Sequence, residues 1–234
     1  VLYELAKPLV GWVLRVVYRP RIEGLENLPA LGGVVVASNH LAGIETVLMP
    51  CQLPRTVHFL AKADFFRGRK LSARALGLLL RGLRVMPVDR SGGQASDAAL
   101  DAGLGILREG KVLGIYPEGT RSPDGRMYRG HTGMVRMALL AGVPIVPIAM
   151  QGTFEAQRGR TIFPHRLPVM VTRMGRPVDL GDLTPDPSAA LDDPAQVRAL
   201  TDLVMERIRE MSGQEYVDRY AADVKRERAE RTGA

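Results

Sequence analysis

Residues 33–50 read GVVVASNHLAGIETVLMP. The run from Val34 to Ala37 has no polar alternation, which is the pattern of a strand buried on both faces. It delivers Asn39 and His40 to the strand end, Gly43 breaks the turn, and Glu45 opens a helix. Working outward, strand patterns recur at 57–61, 84–88, 111–116, 143–150 and 168–174. Helical patterns fall between them at 44–51, 70–82, 94–109 and 131–141, with Gly110 and Gly142 at stop positions. Strands alternating with helices predict an α/β fold, a single layered domain with a mainly buried mixed sheet flanked by helices. The expected organisation is an amphipathic helix over 1–20, a main domain over 21–178, and an acidic loop with C-terminal helices over 179–234 packed on it.

Composition sets the outer limits. The chain has 234 residues, 46% apolar and 24% charged, with a mean hydropathy of -0.02. That excludes a disordered tail, a collagen and a disulfide miniprotein. Cys51 is the single cysteine, so no internal disulfide supports the fold. The net charge is +7 with a pI near 9.9, and only five of the 32 cations are lysine. From Lys62 to Arg90 eight cations meet two anions, so most of the surplus is there. Within it, Lys70, Arg74, Arg81 and Arg84 share one helix face opposite Leu71, Leu76, Leu79, Leu80 and Leu83. This face fits either a solvated surface over a core or an anionic bilayer. Nucleic acid is a weaker reading, because no aromatic residues are interleaved with these cations.

Leu2, Leu5, Leu9, Trp12 and Val16 recur at helical spacing near the N-terminus. The longest uncharged run there is Pro8–Leu14, far short of the roughly 20 residues of a spanning helix. The pattern predicts a helix either packed on the domain or lying in a membrane interface, and not a signal peptide. Residues 27–44 and 137–154 are also uncharged, but their prolines and glycines mark turns around short strands. Beyond residue 178, prolines and six aspartates between Asp179 and Asp202 predict an acidic loop. Helices are expected over 195–211 and about 214–230, the second a solvated helix of mixed charge.

Two stretches carry chemistry. In the first, a turn between strand and helix lets the Glu45 carboxylate reach the imidazole of His40. A carboxylate on one ring nitrogen fixes the tautomer and leaves the other free to take a proton from a hydroxyl. The second is KVLGIYPEGTRSPDG, residues 111–125. A strand ends at Tyr116, Gly119 opens the backbone, and Thr120, Arg121 and Ser122 offer donors suited to a phosphate. Taken singly, either stretch also fits a structural histidine or an ordinary polar turn. His58, His131 and His165 have no ligand spacing with His40, so no metal site is expected.

NHLAGIE (39–45), GLRVMPVDR (82–90), YPEGTRS (116–122) and VPIVPIAMQGT (143–153) stand in the order of four motif blocks. In this the chain resembles the 1-acylglycerol-3-phosphate acyltransferases, also called lysophosphatidic acid acyltransferases. HFLAKADFF (58–66) and MYRGHTG (127–133) look similar too. The resemblance implies an enzyme that moves an acyl group from coenzyme A or acyl carrier protein to a lysophospholipid, with no further cofactor and no metal. It implies His40 as general base, Glu45 as its orienter, and Glu118, Gly119, Thr120 and Arg121 at the acceptor phosphate, with Arg90 and Lys62 adding charge. It also implies a peripheral or monotopic place on the cytoplasmic face of the membrane. The family pattern usually has Asp where Glu45 stands. That departure leaves room for another acceptor hydroxyl, such as glycerol 3-phosphate, another lysolipid or a glycolipid. A non-catalytic lipid-binding relative is the remaining alternative.

Overall fold

The computed structural model describes residues 2–62, 85–88, 95–158, 161, 164–166, 168–184 and 186–232. In chain order these form α1 (Leu2–Tyr18), β1 (Arg21–Glu23), a 3-10 turn (Leu25–Asn27), β2 (Val34–Ser38) and α2 (Glu45–Gln52). Next come β3 (Val57–Lys62), β4 (Val85–Val88), α3 (Ala95–Arg108), β5 (Val112–Ile115), β6 (Met127–Tyr128) and α4 (Gly133–Ala141). Then follow β7 (Ile145–Gln151), α5 (Thr153–Ala156), β8 (Val171–Met174), α6 (Leu180–Leu183) and α7 (Pro187–Asp192). The chain closes with α8 (Pro194–Ser212), β9 (Tyr216–Val217) and α9 (Ala221–Thr232). The helix expected over 70–82, with its basic face, lies outside the described residues.

Seven strands make one sheet in the order β1-β8-β7-β2-β5-β3-β4. All neighbours run parallel except β7 and β8, so the sheet is mixed, as expected. The unbroken apolar run of β2 has a direct cause. Val35 and Ala37 face a core built with α3, α4, α7 and α8, while Val34 and Val36 face Met49, Leu53 and Leu28 on the other side. Both faces are covered, so both residues of each pair must be apolar. Because β2 lies between β5 and β7 and parallel to both, the segments after these three strands emerge at one end of the sheet. Ligand sites of open α/β sheets form at that carboxyl end.

The N-terminal helix packs on α2, but not through the stripe that the spacing picks out. Leu14 is buried with Val10 and Tyr18 against Leu48, Ile44 and Val47, and Gly11 brings α1 close to Cys51. Leu9, Trp12, Val13 and Val16 stay exposed, with Trp12 62% accessible. Among the described residues no helix is long and apolar enough to cross a membrane.

The acidic segment is more ordered than the loop expected for it. Asp179, Asp186 and Asp193 are the N-caps of α6, α7 and α8, each accepting main-chain N–H bonds at the start of its helix. Proline at the first position of α7 and α8 fits the same boundary. Aspartate and proline clusters thus mark three short helix starts. The last expected helix also begins later, at Ala221, because Tyr216 and Val217 first pair with Met127 and Tyr128.

In β5, Gly114 leaves room for the Phe59 ring of β3. A Cβ there would sit 2.4 Å from the ring edge, and that ring stacks on Tyr116 at 5.6 Å. Gly114→Ala is expected to lower stability by about 1–3 kcal/mol, a melting shift of roughly 2–10 °C. Thermal unfolding measures the cost; an unchanged melting temperature would contradict the close packing.

Candidate active site

His40 leaves the end of β2 and lies 14% exposed at its side chain. Its Nδ1 is 2.8 Å from Glu45 Oε2. The contact closes across the turn because Glu45 is the first residue of α2, where the helix N-terminus favours a carboxylate. Glu45 is fully buried, yet its oxygens are well supplied. Leu41 N donates to both, at 3.0 and 3.2 Å, and Thr153 Oγ1 donates to Oε1 at 2.5 Å. Each of these donors satisfies an oxygen that burial has removed from water. With Nδ1 engaged by Glu45, Nε2 has no protein hydrogen-bond partner among the described residues. The ring also stacks on Tyr116, centroids 3.9 Å apart and planes 16° from parallel, so it cannot swing away from this pose cheaply.

The YPEGTRS segment after β5 holds the main chain of His40 from both sides. Glu118 Oε1 accepts from His40 N at 3.0 Å, and Ser122 N donates to His40 O at 2.7 Å. The other oxygen of Glu118 accepts from Tyr128 N at 2.9 Å. Glu118 is fully buried, and with both oxygens engaged by main-chain amides it braces the loop. Burial pushes its carboxyl up to about 8, with Glu45 adding to the rise, against the pull of the two amides and Lys225.

Gly119 takes a φ of 73°, and its N–H closes a turn onto Tyr116 O at 3.0 Å. A Cβ there would press on the His131 ring at 3.1 Å, so glycine is required for both reasons. Thr120 follows on the surface, and Arg121 sends Nη1 over the NHLAGIE turn, 3.7 Å from where a Gly43 Cβ would stand. His40, Glu45, Thr120 and Arg121 are therefore gathered at one place. Lys62 is the last residue of β3, at the same end of the sheet. Arg90 lies outside the described residues.

Several supporting residues escape a motif reading. Asn39 extends the β2–β7 pairing with its side chain, accepting from Met150 N at 2.7 Å and donating to Met150 O at 2.9 Å. Gln214, far along the chain, accepts from Asn39 at 2.6 Å and donates to Gly125 O at 2.6 Å. Thr153, the last residue of the fourth block, closes that block onto Glu45. Asp124, a plain turn signal in sequence, bonds Arg126, the Tyr128 hydroxyl and Arg228 of α9. Burial would raise its carboxyl, but these donors outweigh that and hold it well below the usual range.

Residues 19–151 match the family profile described as Acyltransferase, more than half of the chain. The chain belongs to the acyltransferase family. This acyltransferase is 28% identical over 193 residues to the 1-acyl-sn-glycerol-3-phosphate acyltransferase of Bacillus subtilis (strain 168), covering 82% of the chain and 87% of that protein. It is 30% identical over 186 residues to the human 1-acyl-sn-glycerol-3-phosphate acyltransferase alpha, covering 78% of the chain and 63% of the human protein. Its fold is shared with the crystal structure of the 1-acyl-sn-glycerophosphate acyltransferase PlsC from Thermotoga maritima. The TM-score is 0.62 at 22% identity, with 89% of this chain and 82% of that one covered.

Two outcomes follow from the site. Thr153→Val keeps the shape but removes a donor from Glu45, so kcat should fall roughly 3- to 30-fold with both KM values unchanged. Steady-state kinetics measures this, and an unchanged kcat would show that the hydroxyl does not act through Glu45. The raised Glu118 value means that the folded enzyme holds an extra proton between about 4.5 and about 8. This group's contribution to stability is therefore full at low pH and declines as the pH rises through that window. Glu118→Gln should flatten that part of the melting-temperature profile while losing one amide acceptor. Equal slopes for both proteins would refute it.

Proposed function

We propose that the enzyme transfers a fatty acyl group from an acyl thioester to the free hydroxyl of 1-acylglycerol 3-phosphate, forming phosphatidic acid in phospholipid biosynthesis. The observation that carries the reading is the His40–Glu45 contact at 2.8 Å beside the Arg121 guanidinium. An imidazole–carboxylate pair beside a guanidinium suits this acceptor, in which the hydroxyl and the phosphate ester are on adjacent carbons. The names of the Bacillus subtilis and human relatives support the same acceptor.

His40 Nε2 takes the proton of the acceptor hydroxyl as the oxygen attacks the thioester carbonyl. The Glu45 carboxylate stabilises the imidazolium that forms and keeps its plane aimed at the hydroxyl. The carbon–sulfur bond then breaks, and the imidazolium returns its proton to the departing thiolate. The step requires neither a covalent acyl-enzyme nor a metal, and the donor is acyl-coenzyme A or acyl carrier protein. Glu45 serves in place of the shorter aspartate by standing at the first position of α2, one turn from its partner's strand.

The work is done at a membrane surface, on the cytoplasmic face. Leu9, Trp12, Val13 and Val16 form an exposed apolar stripe on α1, with Arg15 and Arg19 exposed near them, which suits an interfacial helix.

Thiol release from palmitoyl-coenzyme A, with and without lysophosphatidic acid, tests the reading. Release should depend on the acceptor, and His40→Ala should reduce it by about a thousandfold or more, the combined loss of base catalysis and hydroxyl alignment. Release with a phosphate-free glycolipid but not with lysophosphatidic acid would overturn the acceptor, and undiminished release from His40→Ala would overturn the mechanism.

A further inference from the structure

The C-terminal helix reaches the phosphate side of the site. Along α9, Ala221 and Val224 pack against Tyr128, and Tyr220 just before it stacks on His131 at 4.6 Å. This docking lays the helix over the YPEGTRS turn. Three of its four cations are matched by carboxylates: Arg226 with Asp223, Arg228 with Asp124 and Arg231 with Glu227. The fourth, Lys225, is different. Its Nζ donates to Thr120 Oγ1 at 2.9 Å, and among the described residues it makes no ion pair with a carboxylate.

Lys225 is also close to Arg121. Burial lowers the lysine's proton affinity, the neighbouring guanidinium lowers it further, and only Glu118 opposes them. Glu118 has both oxygens taken by main-chain amides, so it is not free to pair with the ammonium. Arg121, likewise, has no carboxylate partner among the described residues. Two cations have thus been brought together on Thr120 and the NHLAGIE turn, with no carboxylate paired to either among the described residues. Such an arrangement costs free energy when empty and recovers it when an anion sits between them.

We propose that Lys225 of the C-terminal helix is a phosphate-binding residue of the acceptor site, forming with Arg121 and Thr120 a clamp specific for a phosphomonoester. The inference rests on the acceptor reading above and deepens it. A phosphomonoester carries close to two negative charges at pH 7, whereas a phosphodiester carries one. Arg121 grips two oxygens through its planar fork, and Lys225 supplies a point charge for the remaining one. The second cation is fully used only by the dianion, so the clamp selects lysophosphatidic acid over phosphodiester lysolipids. The residue lies outside the matched family segment, which ends at residue 151.

Lys225→Met retains the aliphatic stem and removes the charge, and Lys225→Arg restores a cation. For the methionine variant the KM for lysophosphatidic acid should rise roughly 10- to 100-fold, with kcat, the thioester KM and the melting temperature near wild type. The arginine variant should recover most of the loss. The KM for lysophosphatidylglycerol, a phosphodiester, should move less than threefold. Isothermal calorimetry with glycerol 3-phosphate reads the same clamp without turnover, and the methionine variant should bind it correspondingly more weakly. An unchanged acceptor KM in a folded Lys225→Met overturns the proposal while leaving the acceptor reading intact. A lowered melting temperature with equal loss for both substrates also overturns it, because that is the mark of a helix latch. Failure of the acceptor reading itself shows earlier, as wild-type enzyme that releases no thiol with lysophosphatidic acid, and removes the proposal with it.

Discussion

The grip on the main chain of His40 is the constraint from which the site follows. One residue has its N–H held by Glu118 and its C=O held by the amide of Ser122, so the end of β2 cannot move without the segment after β5. Side chains then fall into place in sequence. Tyr116 backs the imidazole, Phe59 backs Tyr116, and the strand glycine at 114 leaves the space that the stack needs. The imidazole is oriented from one side by a carboxylate and from the other by a ring, and both supports are themselves fixed.

Glu118 and Glu45 meet the problem of buried carboxylates differently. Glu45 faces an imidazole that can take positive charge, and it also accepts from a hydroxyl and an amide. Glu118 meets only amides and a distant ammonium, and burial raises its proton affinity into the neutral range. Two acids deep in one site thus have unequal partners, the first a ring nitrogen, a hydroxyl and an amide, the second two main-chain amides. Near them, Arg121 and Lys225 stand side by side at the Thr120 turn, and neither makes an ion pair with a carboxylate among the described residues.

The parallel sheet could be read with confidence in its middle and less well at its margins. The apolar runs of β2 and β5, and of β7 up to Met150, are buried, and that signal is local. β1, β6 and β9 are two or three residues long, and their pairing is made by partners more than 80 residues away. On α1, Leu9, Trp12 and Val16 of the apolar stripe are left exposed, because periodicity reports an amphipathic face without saying what covers it. Aspartates at 179, 186 and 193 were legible as punctuation but not as caps, since a cap and a turn use the same residues for the same reason, a short side chain that accepts main-chain N–H bonds.

By itself, the sequence determined the α/β alternation, the positions of the buried strands, and the pairing of a histidine with an acid five residues later. These depend on residues near one another in the chain, where periodicity and turn chemistry are enough. Only the tertiary structure decided what each polar group in the site does. Glu118 turns inward to His40 and Tyr128, Thr153 donates to Glu45, Gln214 ties Asn39 to Gly125, and Lys225 comes to Thr120 from 105 residues away. A buried polar group must find its partner wherever packing brings one, and that distance is set by the fold of the whole chain.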